Sequence, residues 1–423
     1  MVKKFDIPTL LNLLFVAYAF VLPLSRASAG IATALILLLF LLSPERKRWA
    51  AELWQSSASR WILFFVGFYF LSLLIIQPLD HTPQEWKEGI RNIFPYINIL
   101  PAVVIGVALK KRFLPMILIA LMLGMFVSEV ISYGIFFEFW EKSRVLAGNP
   151  SPYMHHIQYS TFLAFVALVL FDWFARERRW GYRLLCLLFF IVIVGTLFLI
   201  NGRTGQVAFL VGLFVLAFAH FQNKFKALLL SSLLAVLVIS AAYELSDNFK
   251  ERVAIAQSDI ENMVEKGNFG TSLGYRVGVT LLSSSLIQER PLLGTGVIDT
   301  IPMIRKRAAI EFPNDYFLSI ANHLQNQYLQ VLVEIGIVGL AIFLMMLYKI
   351  ARIPLRAKSY QNLKIIFLSV YLFTMLSDIQ LHIQFTAGLF ALIVGVLLAQ
   401  SRIEGEENVD IAVQSGLQVK ANG

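Results

Sequence analysis

The chain has 423 residues, of which 58% are hydrophobic and 15% charged, with a mean hydropathy of +0.70 and a formal net charge of +9. Soluble domains carry roughly 45–50% apolar and 25% charged residues, so this composition excludes a soluble fold and puts most of the chain in lipid. The positive charge does not point to nucleic acid, because Lys and Arg in a membrane chain report orientation. The single cysteine, Cys186, lies in an apolar run and excludes an internal disulfide and a cysteine-based metal site.

Taken in order, the chain opens with Lys3 and Lys4 before an apolar stretch from Ile7 to Leu24, and Ala27-Ser28-Ala29 resembles a signal-peptidase site. That stretch exceeds the roughly 7–15 residues of a signal core and contains Pro23, so an uncleaved first span is expected. Further spans are expected over Ala29 to Leu42, Trp61 to Ile76, Ile93 to Leu109, Phe113 to Phe137 and Ile157 to Phe174. They continue over Leu184 to Ile200, Gln206 to Phe221, Ala227 to Tyr243, Leu324 to Leu347, Leu363 to Leu376 and Phe385 to Ala399. The chain thus reads as an all-α polytopic membrane protein of about twelve helices.

With the N-terminus inside, the inner segments carry 22 of the 36 Lys and Arg residues and the short outer loops carry 6. This asymmetry predicts cytoplasmic N- and C-termini. The other eight fall between Glu244 and Asn322, a long outer loop of short helices with amphipathic runs such as Val277 to Ile287. The division is therefore residues 1–243 with nine helices, the loop 244–322, residues 323–400 with three more helices, and a flexible polar tail over 401–423.

Chemistry is expected on the outer side, where five of the six histidines map. His323 opens an expected helix in which His323, Asn326, Gln327, Gln330 and Glu334 fall within about 60° of one line and descend about 16 Å. Such a stripe glues helices together or lines a cleft with His323 at its mouth, where a pKa near 6.5 suits a general base. Gly336 and Gly339 on this helix read as packing residues. Arg203, in the turn Asn201-Gly202-Arg203-Thr204-Gly205, either snorkels to headgroups or grips a phosphate bidentately, with the glycines exposing backbone N–H groups. His155, His156 and Tyr159 face an acceptor or anchor their helix at the interface, and Arg26 is open to the same two readings as Arg203. Glu129 and Asp378 are intramembrane candidates whose alternative is helix packing.

Together, Gly274-Tyr275-Arg276, Arg290-Pro291-Leu292-Leu293-Gly294-Thr295-Gly296, Asn322-His323 through Gln330, and Glu334-Ile335-Gly336-Ile337-Val338-Gly339-Leu340 resemble the signature of the O-antigen ligase and polymerase superfamily. The likeness spans roughly Leu197 to Lys349. It implies a GT-C-like fold in a bacterial inner membrane, with no metal or other cofactor. The implied activity moves a glycan from undecaprenyl diphosphate to a hydroxyl on the periplasmic face. It also implies that Arg203 and Arg276, with Arg26 as a third contact, hold the diphosphate while His323 activates the acceptor. Many members have a second histidine just before the Asn of the His-helix, where this chain has Gln325.

The expected partners are the lipid-linked glycan, a lipid A core acceptor and membrane lipids, without nucleic acid. O-antigen polymerase and protein O-oligosaccharyltransferase are the rivals within the superfamily. A secondary transporter is the rival of another class, although such proteins place their binding residues near the midplane of matching halves.

Overall fold

The computed structural model describes residues 6–75, 82–245, 247–266 and 269–421. Lys3, Lys4, Ile76 and the last two residues of the expected tail lie outside the described residues. Among those described there are helices and no strands.

The first half comprises α1 (Ile7–Val21), α2 (Arg26–Leu42), α3 (Arg46–Gln55), α4 (Ser57–Ile75), α5 (Pro83–Ile93), α6 (Pro101–Ala108), α7 (Leu114–Phe136), α8 (His156–Arg176) and α9 (Trp180–Leu199). Then follow α10 (Arg203–His220), α11 (Lys224–Leu245), α12 (Asp247–Lys266), α13 (Ser272–Glu289), α14 (Thr300–Glu311), α15 (Tyr316–Ser319), α16 (Gln327–Ala351), α17 (Lys358–Thr374) and α18 (Gln384–Ala421).

Each of the twelve expected apolar stretches contains a helix. Among the described residues eight helices, counting Pro83–Ala108 as one, are long and apolar enough to cross a membrane. The number is nine if α2 and α3, bent by 106°, form one broken span. α1 and the apolar part of α10 are shorter.

α18 is the hub. Its apolar part is 83% buried within the protein and packs most extensively on α6, whereas α11 is 17% buried and peripheral. An all-round apolar helix belongs at such a centre. Small residues permit the approach, since a Cβ on Gly395 would lie 2.7 Å from Ile105 and one on Gly106 would lie 2.9 Å from Leu398.

α18 runs on to Ala421, through all but the last two residues of the expected tail. Arg402 explains the first turns of this extension: it donates to Gly106 O at 3.1 Å and Leu109 O at 2.6 Å, capping the carbonyl end of α6. Glu404 accepts from the backbone N–H groups of Arg356 and Ala357 at 2.6 and 3.0 Å.

In the long segment before α16, Val279, Leu282 and Leu286 of α13, Ile304 of α14, and Leu318 form a second small core with Leu324 and Val333. This core seats the segment on the start of α16. The site is assembled there.

Candidate functional site

α16 is a broken helix. Ile335 and Gly336 leave helical geometry, with Gly336 at φ +67°, ψ −169°, a backbone region essentially reserved for glycine. The break frees backbone groups that cannot turn to water inside a membrane, and the Pro291–Gly296 stretch satisfies them. Thr295 N and Gly296 N donate to Val333 O and Glu334 O at 2.8 and 3.0 Å. Ile337 N and Val338 N donate to Pro291 O and Leu292 O at 2.8 and 3.2 Å. Gly294 and Gly296 take φ +77° and +88° to make the turn. Gly336 is therefore the seat of the break rather than the packing residue expected from the sequence.

His323 does not open this helix. α16 begins at Gln327, capped by the Asn326 side chain, which accepts from Tyr328 N and Leu329 N at 3.0 Å. Gln325 sits at φ +49°, so the preceding residues form a loop and the continuous polar stripe is interrupted before His323. Tyr275 of α13 fixes that loop by donating to His323 O at 3.0 Å. Gln327 and Gln330 are buried and bonded to protein, at Tyr96 and at Glu334.

The Arg203 turn docks on the start of α8. A Cβ on Gly202 would lie 2.3 Å from Ser160 Cβ, and one on Gly205 2.3 Å from Ser160 O. Gly205 N donates to Ser160 Oγ at 3.2 Å, so these glycines allow helix approach rather than offering both N–H groups outward. Asn149 secures the turn by accepting from Asn201 N at 3.0 Å, and its amide lies 3.3 Å from His156 Nδ1. Arg203 is the first residue of α10, where the helix dipole adds to its charge.

Electrostatic reach defines the rest. Burial pushes the Arg276 guanidinium below its ordinary value; Asp378 opposes this and Arg203 adds to it. Burial also holds the His323 imidazole below the usual histidine value, with Asp378 acting against the shift and Arg276 and His155 with it. His382, behind them, is pushed down to about 4 by burial and by His323. Arg203, Arg276, His323, His155, Asp378 and His382 thus share one electrostatic neighbourhood drawn from five chain segments. Asp378 is 2% exposed and oriented by Gln158, whose Nε2 donates to its Oδ2 at 3.2 Å.

Four other expected residues have close partners of their own. Tyr159 is fully buried and donates to Glu129 Oε1 at 2.6 Å, so it belongs to the packing of α7 on α8, and Glu129 with it. His155 and His156 lie with ring centroids 3.9 Å apart and planes tilted by 35°, beside a cavity of about 500 Å3 also lined by Arg144, Asn149 and Tyr153. Arg26 is exposed and tied to the start of α18: its Nε donates to Gln384 Oε1 at 3.1 Å. Asp378, given helix packing as its alternative reading, is the residue sequence reasoning undervalued. Its signal was an acid placed just past the end of a span.

Two clustered arginines, a buried carboxylate and an imidazole held below its ordinary pKa by burial, in a polytopic membrane protein, define a site able to hold an anion beside a base. Residues 188–344 match the family described as O-antigen ligase, a domain match that supports membership of the O-antigen ligase superfamily. Members of that family are glycosyltransferase-like enzymes, ligases and polymerases. No curated protein matches the sequence.

Proposed function

We propose that this chain is a multi-pass bacterial inner-membrane glycosyltransferase that moves a glycan from undecaprenyl diphosphate to the lipid A core on the periplasmic face. On this reading all twelve apolar stretches cross the membrane in a GT-C-like arrangement, with both termini cytoplasmic. The observation that carries the reading is the meeting of Arg203, Arg276, His323 and Asp378 within one electrostatic neighbourhood.

The acceptor oxygen attacks the anomeric carbon as the bond to the diphosphate oxygen breaks. His323 takes the hydroxyl proton, and Asp378 steadies the imidazolium that forms. Arg203 and Arg276 offset the charge growing on the departing diphosphate, a task that needs neither metal nor cofactor. Arg26 is a further contact for the lipid-linked phosphate, while Asn326, His155 and His156 border the acceptor side. Gln325 N lies 3.3 Å from His323 Nδ1, so that nitrogen holds the lone pair, and the contact is long enough to yield to an incoming hydroxyl.

Reconstitution of the purified protein with a lipid-linked glycan, offering either lipid A core or a second lipid-linked glycan, tests this reading. A glycan joined to lipid A core supports ligation. Lengthened lipid-linked glycan makes the chain a polymerase, and transfer to a polypeptide hydroxyl makes it a protein glycosylating enzyme. Solute uptake into proteoliposomes that is lost in His323→Ala makes it a transporter.

Two variants probe the charges. Arg203→Lys keeps the cation but loses the planar fork, and is expected to lower transfer roughly ten- to a hundredfold in the same assay. The base works in its neutral form, present above its pKa, so activity falls as pH drops through that value. Removing the neighbouring cation in Arg276→Gln raises the His323 value and moves the acid limb of kcat/KM to higher pH. Asp378→Asn moves it to lower pH. Residual activity followed against pH checks both directions.

A further inference from the structure

Two hydrogen-bonded arms converge on the buried Glu334. Its Oε2 accepts from the Tyr69 hydroxyl at 2.7 Å and its Oε1 from Gln330 Nε2 at 2.6 Å. Behind Tyr69, the Tyr96 hydroxyl donates to the Tyr69 oxygen and Gln327 Nε2 donates to the Tyr96 oxygen, each at 3.2 Å. The two tyrosine rings stack with centroids 4.2 Å apart.

The far ends of both arms are main-chain. Gln330 Oε1 accepts from Leu324 N and Gln327 Oε1 from Leu381 N, both at 2.8 Å. These N–H donors settle which way each amide is turned, because an amide oxygen facing a donor leaves its NH2 group on the other side. Every donor along both arms therefore points toward Glu334, which accepts at both carboxyl oxygens. Leu324 follows His323, and Leu381 stands between Asp378 and His382.

We infer that Glu334 is a positioning residue of the transfer site: one buried acceptor fixes the spacing between the loop carrying His323 and the loop carrying Asp378. The inference rests on the proposed role of His323. Helix gluing alone would end the arms on other helices, whereas both end on the backbone of the two loops. A carboxyl group at membrane depth is also costly enough to need a task. Glutamine cannot replace it, since one of its two acceptor oxygens becomes a donor facing another donor.

Glu334→Gln and Tyr69→Phe test this through transfer kinetics, thermal melting and hydrogen–deuterium exchange over residues 321–326 and 375–383. For Glu334→Gln the expected result is a roughly tenfold or greater fall in kcat with donor KM changed less than about threefold, and faster exchange in both loops together. Tyr69→Phe is expected to shift both readouts in the same directions by less, and it carries the test if Glu334→Gln does not fold.

A lowered melting temperature with unchanged kcat and unchanged loop exchange overturns the inference. So does wild-type turnover in Glu334→Gln when His323→Ala is inactive. If His323→Ala itself is active, the base assignment fails instead. Loop exchange then still decides the inference: faster exchange in both loops upholds the brace, and unchanged exchange refutes it.

Discussion

Replacing His323 with alanine is expected to cut glycan transfer by roughly 10²–10⁴-fold, the usual contribution of a positioned acid–base group. Insertion and melting temperature should stay close to wild type. The imidazole lies in a loop held by backbone contacts, namely the Tyr275 hydroxyl on His323 O and the Gln330 amide on Leu324 N, neither of which needs the His323 side chain. The loss should fall on kcat, because in the proposed mechanism the lipid-linked diphosphate is gripped by arginines that the substitution leaves in place. A His323→Ala protein that transfers glycan at the wild-type rate would sink the general-base assignment.

Gly336→Ala is the second large effect, and it acts on folding. At φ +67°, ψ −169° an L-residue is strained by about 1–3 kcal/mol before any contact is counted. A Cβ there would also lie 2.2 Å from Leu292 O and 2.3 Å from its carbonyl carbon, which are backbone atoms unable to swing aside. The expected outcome is loss of monodisperse folded protein in detergent, read by size-exclusion yield and melting temperature. Gly67→Ala in α4 is the control, since a Cβ there meets nothing within 4 Å. Equal yields from the two variants would show that the break in α16 tolerates a side chain.

The membrane class was readable because composition alone reports it, and the apolar stretches all proved helical. Span length was less readable: α1 and α10 are apolar but short, which run-length counting does not distinguish from neighbouring spans. The His323 segment misled because His323, Asn326, Gln327, Gln330 and Glu334 fit a helical stripe. Yet Asn326 ahead of an apolar run is an N-cap signal that marks the true start. Pro291–Gly296 carries the mark of a turn, but its bonding to the middle of α16 joins residues some forty positions apart, and no local pattern encodes that. Asp378 lies outside the 188–344 match, on a loop brought to the arginines only by the packing of α17 on α10.

α16 is, in effect, a composite rod, with one of its turns supplied by a different part of the chain. Four main-chain bonds splice it, with Thr295 Oγ1 adding one to Val333 O at 3.1 Å, and Leu292 and Leu293 point their side chains outward at 66% and 43% exposure. Those two side chains are consequently interchangeable, while the number of residues is not. Adding or removing one residue at the splice would rotate one half of the rod by about 100° against the other. That rotation would pull the His323 loop out of register with the helix bearing Arg276. Length, more than side-chain identity, is what this junction holds constant.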